Sequence, residues 1–258
     1  MNLLHDKVVL VSGGTQGVGA GIVKAAAGEG AIVAFTGRRP NAGDKLAGEL
    51  ASAGATAAFI QTDLADPQQA INSVRQTVDR FGRIDCLVNS AGLTTRGSLL
   101  DTSVELFEQH MAINLRAPFF TMQTAVADMV SRGEAGTIVN IISMAQHGGQ
   151  PYLSPYAAAK AGLAGLTRNT AFAHRWDKIR INGVNIGWTQ TEGEDAIQRQ
   201  FHDADDSWLD SAKSKLPMGK MGQVDEIADF VVFLLSDRSG VVTGSVIDWD
   251  QYVPGAHD

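Results

Sequence analysis

KVVLVSGGTQGVGAGIVKAAAGEG, residues 7–30, decides the fold of this chain. Its apolar, β-branched start is typical of a strand, and its alanine-rich end is typical of a helix. Between them, Gly13, Gly17 and Gly19 follow a G-x-x-x-G-x-G spacing. Bare backbone at such a turn lets a pyrophosphate approach, and the N-terminus of the next helix favours its negative charge. The order of strand, glycine loop and helix therefore predicts a dinucleotide-binding unit, with a tight turn that binds nothing as the alternative.

The pattern of residues 7–30 continues along the chain as an alternation of strands and helices. Continuous apolar runs, such as residues 84–88 and 179–187, predict strands of a parallel sheet that is covered on both faces. Asp66 followed by Pro67 marks the start of a helix, as an N-cap residue and a first helical residue. No linker, repeat or low-complexity tract divides the chain, so we expect one α/β domain over residues 1–258.

A long helix is expected in the middle of the chain. Thr102 and Glu105 have the spacing of a capping box, and a helical pattern continues from there towards Met129. Asn114 lies inside this pattern and Pro118 follows it, which indicates a local kink. From the residues alone, the favoured interpretation of Asn114 is an amide satisfied by a neighbouring backbone group.

The composition limits the classes of partner. The chain has 258 residues, 44% of them hydrophobic, and a formal net charge of -7 without a basic block. We therefore expect no nucleic-acid and no membrane partner. No apolar run approaches the ~18 residues of a membrane-spanning helix, and the first residues lack the apolar core of a signal peptide. The single cysteine, Cys86, lies in an apolar run and is expected to be buried, which fits a cytoplasmic location.

The end of the second predicted strand bears on the choice of nucleotide. An acidic residue at this point of a dinucleotide fold binds the 2′-hydroxyl of NAD. This strand instead ends in Arg38 and Arg39, and a guanidinium pairs well with a 2′-phosphate. The sequence therefore predicts that NADP is preferred and that NAD is possible. A solvent-exposed arginine pair is the alternative, above all for Arg39.

The chemistry is expected in SMAQHGGQPYLSPYAAAK, residues 143–160. Tyr156 and Lys160 are four residues apart in a helical pattern, so their side chains share one face of the helix. An ammonium beside a phenol stabilises the phenolate, so we expect the pKa of Tyr156 to fall and the phenol to act as an acid or base. Ser143 ends an apolar strand and supplies a second donor for a carbonyl oxygen. The alternative is ordinary: a tyrosine at a helix start, a solvated lysine and a capping serine.

Residues 188–216 differ from the rest of the chain. They are polar and acidic, and they lack a strand pattern. They begin just past the carboxyl end of a predicted strand, where open α/β sheets bind ligands. We predict a helical lid over the substrate, with a solvated surface excursion as the alternative.

Taken in order, these motifs resemble the short-chain dehydrogenase/reductase family over nearly the whole chain. The resemblance is carried by SGGTQGVG at 12–19, Asp63-Leu64, NSAG at 89–92, Asn114, Ser143 and Tyr156-x-x-x-Lys160. It implies a single-domain Rossmann-type doubly wound sheet of seven parallel strands, in the order 3-2-1-4-5-6-7, with helices on both faces. It also implies hydride transfer between a nicotinamide and an alcohol or carbonyl, and a homotetramer or homodimer.

The family also implies a role for each matched residue. Tyr156 would be the acid/base, and Lys160 would lower its pKa and hold the nicotinamide ribose. Ser143 would polarise the carbonyl, and Asn114 would hold a water of a proton relay, in place of the backbone pairing suggested above. No metal is implied. The implied cofactor contacts are Gly13, Thr15, Gln16, Gly17, Val18, Gly19, Arg38, Asp63, Leu64, Asn89, Ala91, Gly92, Tyr156, Lys160, Gly187, Thr189 and Thr191.

Three departures from the family pattern stand out. The usual Pro-Gly after the sixth strand is Ile186-Gly187, and the usual Asp-Gly-Gly near the end is Asp250-Gln251-Tyr252. Gln16 stands where many NADP-preferring members carry a basic residue, so the preference for NADP depends mainly on Arg38.

The candidate substrate contacts are mostly polar for this family, which favours a sugar- or polyol-like small molecule over a steroid, because unpaired buried polar groups are costly. They are Thr94, Arg96, Ala145, Gln150, Trp188 and Glu192. Arg96 either binds a carboxylate or faces solvent. A 3-oxoacyl-acyl-carrier-protein reductase is the first alternative function, and a non-catalytic cofactor-binding regulator is the second.

Overall fold

The structure, a computed structural model, describes residues 2–255. Within these residues, seven parallel strands form one sheet in the order β3-β2-β1-β4-β5-β6-β7, as the resemblance implied. The strand order reverses between β1 and β4. In sheets of this kind the reversal leaves a crevice at the carboxyl ends of the strands, between the two halves of the sheet. The strands are β1 (Val8–Ser12), β2 (Ile32–Gly37), β3 (Ala57–Gln61), β4 (Cys86–Asn89), β5 (Gly136–Ile141), β6 (Ile179–Ile186) and β7 (Val246–Trp249).

Helices cover both faces of this sheet. The crossover helices bury continuous apolar strands, and two large apolar clusters lie on opposite sides of the sheet. Val9 and Val11 of β1 face one cluster and Leu10 faces the other, as the alternation of a strand requires. The α-helices are α1 (Gly17–Gly28), α2 (Pro40–Ser52), α3 (Pro67–Phe81), α4 (Val104–Met111), α5 (Ala117–Arg132), α6 (Ser154–His174), α7 (Glu192–Phe201), α8 (Trp208–Ser214) and α9 (Val224–Leu235).

The long middle helix is interrupted where the sequence indicated a kink. A π-helical segment, Ala112–Arg116, joins α4 to α5 and contains Asn114. The start of α4 differs from the prediction by one residue: Ser103, not Thr102, is the N-cap, and its Oγ accepts from the Leu106 amide at 3.2 Å. Thr102 instead donates its hydroxyl to the carbonyl of Ser98 at 2.5 Å. Thr102 and Ser103 both carry a hydroxyl group that suits an N-cap, but only Ser103 caps α4.

Other local predictions are confirmed. Asp66 caps α3 by accepting from the Gln68 and Gln69 amides, and Pro67 is the first helical residue. Cys86 is buried, and burial raises the pKa of its thiol to about 12. The polar segment after β6 contains α7 and α8 and no strand. Among residues 2–255, no helix combines the length and the apolar character needed to cross a membrane.

Candidate active site

One cleft of about 1430 Å³ runs along the carboxyl ends of the strands, from the glycine loop to the start of α6. Its lining includes nearly all of the residues that the sequence predicted for the cofactor and the substrate. These are Gly13, Thr15, Gln16, Gly17, Val18, Gly19, Arg38, Asp63, Leu64, Ala91, Gly92, Thr94, Arg96, Ser143, Ala145, Gln150, Tyr156, Lys160, Gly187, Trp188, Thr189 and Thr191.

The glycine loop is built so that only glycine fits. Gly13 has φ +75° and Gly17 has φ +52°, which are left-handed conformations that other residues rarely adopt. A Cβ on Gly13 would lie 2.6 Å from the Cα of Ala91, and a Cβ on Gly19 would lie 2.1 Å from the carbonyl oxygen of Gly13. The loop therefore presses against the end of β4 and against the first turn of α1.

The N-terminus of α1 faces the cleft without a side-chain cap. Gln16 is the N-cap residue, and among residues 2–255 no side chain accepts from the first amides of α1, whose first turn also lacks acidic residues. Those amides and the helix dipole favour an anion at this point. Bare glycine backbone and uncapped amides are what a pyrophosphate needs, so the residues present fit a dinucleotide.

Arg38 and Arg39 line the far end of the cleft. Both side chains are exposed, as the alternative expected, and Arg39 also donates a hydrogen bond to Oε1 of Gln16. Asp63 lies close by, and its Oδ1 accepts from the Ala65 amide at 3.0 Å. Two guanidinium groups thus stand at the end of β2, where the adenosine ribose of a dinucleotide lies in this fold.

Tyr156 and Lys160 lie at the other end of the cleft, on the first turns of α6. Both side chains are almost fully buried. The Nζ of Lys160 donates to the carbonyl of Ile141 at 2.8 Å and lies 5.7 Å from the centre of the Tyr156 ring. Burial alone lowers the pKa of Lys160 to about 8. The i,i+4 spacing in the sequence therefore yields the shared helix face that was predicted.

The pKa of Tyr156 does not fall as the sequence indicated. Burial, the largest influence, raises the pKa of the phenol, and the carboxylate of Glu194 raises it further. The hydrogen bond with Ser143 and the charge of Arg96 lower it, but they do not outweigh burial. The predicted fall is wrong for the chain alone because burial of the phenol outweighs the influences that lower its pKa, and the Lys160 ammonium, which donates to the Ile141 carbonyl, is not among those influences.

Asn114 lies behind this site rather than in the cleft. Its Oδ1 accepts from the Leu93 amide at 2.9 Å and its Nδ2 donates to the Leu93 carbonyl at 3.0 Å. This is the backbone pairing that the residues alone suggested. A Cβ on Gly92 would lie 3.6 Å from the Asn114 Oδ1 and 4.0 Å from the Lys160 Nζ, so both polar groups approach the same glycine.

The substrate end of the cleft has polar walls on both sides. On the loop after β4, Arg96 donates from Nη1 to the Thr94 carbonyl at 3.2 Å and from Nε to the Nε2 of His202 at 3.3 Å. On the segment after β6, Trp188 donates from Nε1 to the Oε1 of Glu194 at 2.7 Å. The cleft between these walls can therefore hydrogen-bond a hydroxylated ligand.

Comparison with known proteins identifies the chain. A family model described as Enoyl-(Acyl carrier protein) reductase matches residues 13–251. The chain is 33% identical to an L-rhamnose 1-dehydrogenase (NAD(P)(+)) of Sphingomonas sp. strain SKA58, over 98% of this chain and 99% of that protein. It is 33% identical to a trans-4-hydroxycyclohexanecarboxylate dehydrogenase of Sinomonas cyclohexanicum, covering 93% of this chain and 90% of that protein. A solved short-chain dehydrogenase/reductase from Serratia marcescens BCRC 10948 superposes with a TM-score of 0.86, at 32% identity and 96% and 98% coverage.

The chain belongs to the short-chain dehydrogenase/reductase family. As a member of this family it is an NAD(P)-dependent oxidoreductase that acts on CH–OH groups. The resemblance stated from the sequence is thereby confirmed, and so are the fold and the class of reaction that it implied.

Three residues that were predicted for the site of this short-chain dehydrogenase/reductase do not line the cleft: Asn89, Asn114 and Glu192. Asn89 points the other way along its strand and is buried, with its Nδ2 donating to Asn140 at 2.8 Å. Its neighbour Ser90 lines the cleft instead, because successive strand residues face opposite sides. Glu192 is exposed at the start of α7, and Glu194 of the same turn is the acid that faces the cleft.

Sequence reasoning also missed several residues of the cleft. His202 follows α7, and Asp250, Val253 and Pro254 come from the chain after β7. A Cβ on Gly187 would lie 2.1 Å from the Oδ1 of Asp250, so this tail packs directly on the loop after β6. In the sequence, the only signal for this packing was the departure of residues 250–252 from the family pattern.

Proposed function

We propose that this enzyme interconverts a secondary alcohol and a carbonyl on a sugar- or polyol-like substrate, with NADP preferred and NAD possible. The observation that carries the proposal is the meeting of Ser143, Tyr156 and Lys160 at the polar end of a cleft whose other end suits a dinucleotide. The nicotinamide, when bound, supplies or accepts the hydride.

In this proposal, the chain's own residues handle the proton and the developing charge. The Tyr156 hydroxyl gives its proton to the carbonyl oxygen in reduction, or takes the alcohol proton in oxidation. The Ser143 hydroxyl, whose influence lowers the pKa of the phenol, donates its proton to the same substrate oxygen and stabilises its negative charge. Lys160 supplies a buried positive charge behind the phenol, and the carbonyl of Ile141 fixes its position.

Asn114 has a proposed role in this arrangement that the resemblance suggests. It holds the backbone of Leu93, next to Gly92 and close to the Lys160 Nζ. A water between the Asn114 carbonyl group and Lys160 would continue a proton relay from the site. The short approach distances at Gly92 support this position for the relay.

The polar substrate class is supported by the walls of the cleft and by a relative. Gln150 and the carboxylate of Glu194 line this end of the cleft and can hydrogen-bond the hydroxyl groups of a polar ligand, which an apolar ligand could not do. A relative that is 33% identical over 98% of this chain is named for a sugar, L-rhamnose. α7 and α8 are proposed to form a lid over this end of the cleft, with Trp188 and Trp208 in contact at 6.2 Å between ring centroids.

The preference for NADP is supported by the cluster of Arg38, Arg39 and Gln16 at the end of β2. A 2′-phosphate would meet at least one free guanidinium there, and among residues 2–255 no carboxylate forms an ion pair with Arg38 or Arg39. Arg39 takes over part of the role expected of a base at position 16, because the Gln16 amide oxygen holds its guanidinium at the glycine loop.

Association through α4, α5 and α6 is expected from the family, as a homodimer or homotetramer. Exposed aromatic side chains on these helices support this association. The exposed fractions are 43% for Phe107, 43% for Phe119 and 68% for Phe172. Apolar patches of this kind are typical of association surfaces. Sedimentation analysis of the purified enzyme tests this expectation.

The variant Tyr156→Phe tests the proposed chemistry. Turnover of any alcohol or carbonyl substrate should collapse, because no other group can move the proton, while NADPH affinity barely changes. Ser143→Ala should lose roughly 100-fold to 1000-fold in kcat, as for removal of one donor to an oxyanion. Unchanged turnover in Tyr156→Phe would refute the mechanism, whereas a wild type that binds NADPH but turns over no substrate would favour the cofactor-binding regulator.

A 3-oxoacyl-acyl-carrier-protein reductase is the second candidate, because the matching family model carries the description of a reductase of acyl-carrier substrates. The net charge of -7 speaks against it, since an acidic carrier protein would be repelled. Assays with acetoacetyl-carrier protein and with keto sugars in parallel decide between the two substrate classes.

A further inference from the structure

Arg96 carries a positive charge into the substrate end of the cleft without a carboxylate partner. Its side chain contacts the Thr94 carbonyl, the Nε2 of His202, and the ring of Tyr152, whose centre lies 5.3 Å from the guanidinium carbon. None of these contacts neutralises the charge. Within residues 2–255, no Asp or Glu lies within ion-pair distance of it. A guanidinium has five N–H donors, so several of them stay available to a ligand.

The protein holds Arg96 in place beside the reactive phenol. The next residue, Gly97, donates its amide to the Tyr152 carbonyl at 2.9 Å, and its own carbonyl accepts from the Ser154 amide at 3.0 Å. These two bonds attach the Arg96 loop to the start of α6, two residues before Tyr156. Arg96 also acts on Tyr156 through its field, which lowers the pKa of the phenol. A cation fixed at this point is within reach of a substrate whose reacting carbon lies at Tyr156.

The same end of the cleft also carries a negative charge, the carboxylate of Glu194 on α7. The Oε1 of Glu194 accepts from Trp188 Nε1 and from Gln198 Nε2, both at 2.7 Å, so neutral donors hold this carboxylate at the cleft. An anionic group on the substrate would be repelled from the Glu194 side and attracted to the Arg96 side. Hydroxyl groups, which donate protons, suit Glu194. The charges of Arg96 and Glu194 therefore favour one orientation of a substrate that has an anionic end and a hydroxylated end.

From this arrangement we infer that the substrate is a hydroxylated carboxylic acid, oriented with its carboxylate on Arg96 and its hydroxyl groups towards Glu194. The planar guanidinium fork matches a carboxylate through two parallel hydrogen bonds, and the Tyr152 ring keeps the fork flat in the cleft. The inference rests on the proposed function and narrows its substrate class. It makes Arg96 a specificity residue for a sugar-acid or hydroxy-acid substrate.

Binding to the enzyme–NADPH complex tests the inference without turnover, because an alcohol cannot react with the reduced cofactor. Calorimetry would compare pairs in which a neutral group replaces the carboxylate: D-gluconate with D-sorbitol, and 3-hydroxybutyrate and trans-4-hydroxycyclohexanecarboxylate each with its methyl ester. We expect at least one acid to bind tenfold or more tightly than its neutral partner. Arg96→Gln should bring that ratio close to one, and Arg96→Lys should restore part of it. Arg75→Gln, an exposed arginine on α3 outside the cleft, is the matched control and should keep the wild-type ratio.

Each outcome bears on the inference alone or on the proposed function alone. If no acid binds more tightly than its neutral partner, or if Arg96→Gln keeps the preference, the carboxylate inference is overturned. Turnover of the neutral partners with NADP or NAD, abolished by Tyr156→Phe, would in that case leave the proposed function standing. If acids bind through Arg96 and the wild type turns over neither them nor the neutral partners, carboxylate recognition by Arg96 stands and the proposed chemistry fails.

Discussion

The Nδ1 of His110 lies 3.1 Å from the Nδ2 of Asn114, one turn along the interrupted helix. The other ring nitrogen, Nε2, lies 3.0 Å from the carbonyl oxygen of Thr95. Burial lowers the pKa of His110, so the ring is neutral, with Nε2 donating to Thr95 and Nδ1 accepting from Asn114. His110 and Asn114 together hold the loop after β4 at Leu93 and Thr95. This loop carries Thr94 and Arg96 into the cleft.

We predict that His110→Phe lowers kcat by roughly 10-fold to 100-fold, because the loop and the Asn114 amide lose their fixed positions. NADPH affinity should change little, since His110 does not line the cleft. Steady-state kinetics and fluorescence titration measure the two quantities, with His5→Phe, an exposed histidine, as the control. Asn114→Ala and the double variant complete a cycle: additive losses would show that His110 does not act through Asn114.

Arg38 is predicted to determine the cofactor preference. The wild type should bind NADPH at least tenfold more tightly than NADH, a difference of about 1.4 kcal/mol. Arg38→Ala should erase that ratio, and Arg39→Ala should reduce it less, because part of its donor capacity is used on Gln16. Fluorescence titration with both nucleotides gives the ratios, and Arg75→Ala controls for the loss of one surface charge. Equal or tighter NADH binding by the wild type would make NAD the natural cofactor.

Lys160 should leave a signature in the pH dependence of stability. The unfolded chain keeps the lysine proton up to about 10.5 and the folded chain up to about 8. Between these values the unfolded state holds more protons, so the contribution of Lys160 to the free energy of unfolding rises with pH, by up to about 1.4 kcal/mol per pH unit. Urea unfolding of the cofactor-free enzyme at pH 7, 8, 9 and 10 measures it.

The comparison with Lys160→Met isolates this contribution. Burial raises the pKa of Cys86, which makes stability fall with pH above about 9, but that effect is common to both proteins. The difference in unfolding free energy between wild type and Lys160→Met should therefore move in favour of the wild type from pH 8 to 10. Lys24→Met, on an exposed lysine of α1, should show no such change. A constant difference for Lys160→Met would mean that its ammonium is not desolvated.

The fold was predictable because each of its elements has its own local signal. Glycine spacing at the first turn, the N-cap at Asp66 and the continuous apolar strands do not depend on distant residues. The family resemblance then supplied the strand order, which periodicity cannot provide. The kink at Asn114 was also predictable, whereas its π-helical form was not, since that form depends on the Leu93 backbone reaching the side chain.

The site was less predictable where the phase of an element decides which side chain faces the cleft. Asn89 and Ser90 differ by one strand position, and Glu192 and Glu194 by half a helical turn, so a small shift in phase exchanges their roles. His202 and Asp250 are brought to the cleft by segments that follow α7 and β7. No short-range pattern marks them, because their position depends on tertiary packing.

The charges of Glu194 and Arg96 act on Tyr156 with opposite signs, which gives a paired prediction. Glu194 raises the pKa of the phenol and Arg96 lowers it. In alcohol oxidation Tyr156 acts as a base, so kcat/KM rises with pH as the phenol ionises in the free enzyme. Glu194→Gln should move this rise to lower pH, and Arg96→Gln should move it to higher pH.

A neutral alcohol as substrate keeps this measurement separate from carboxylate binding at Arg96. Glu192→Gln is the matched control, since Glu192 is an exposed acid in the same turn of α7 and lies outside the cleft. Both shifts should shrink in high salt, because the cleft opens to solvent and mobile ions screen charges that are not in contact. Shifts of the same sign in the two variants would contradict the electrostatic account, since loss of a carboxylate and loss of a guanidinium cannot act alike on one phenol. Shifts in opposite directions would assign the rise in kcat/KM to Tyr156, because the charges of Glu194 and Arg96 both act on this phenol, with opposite signs.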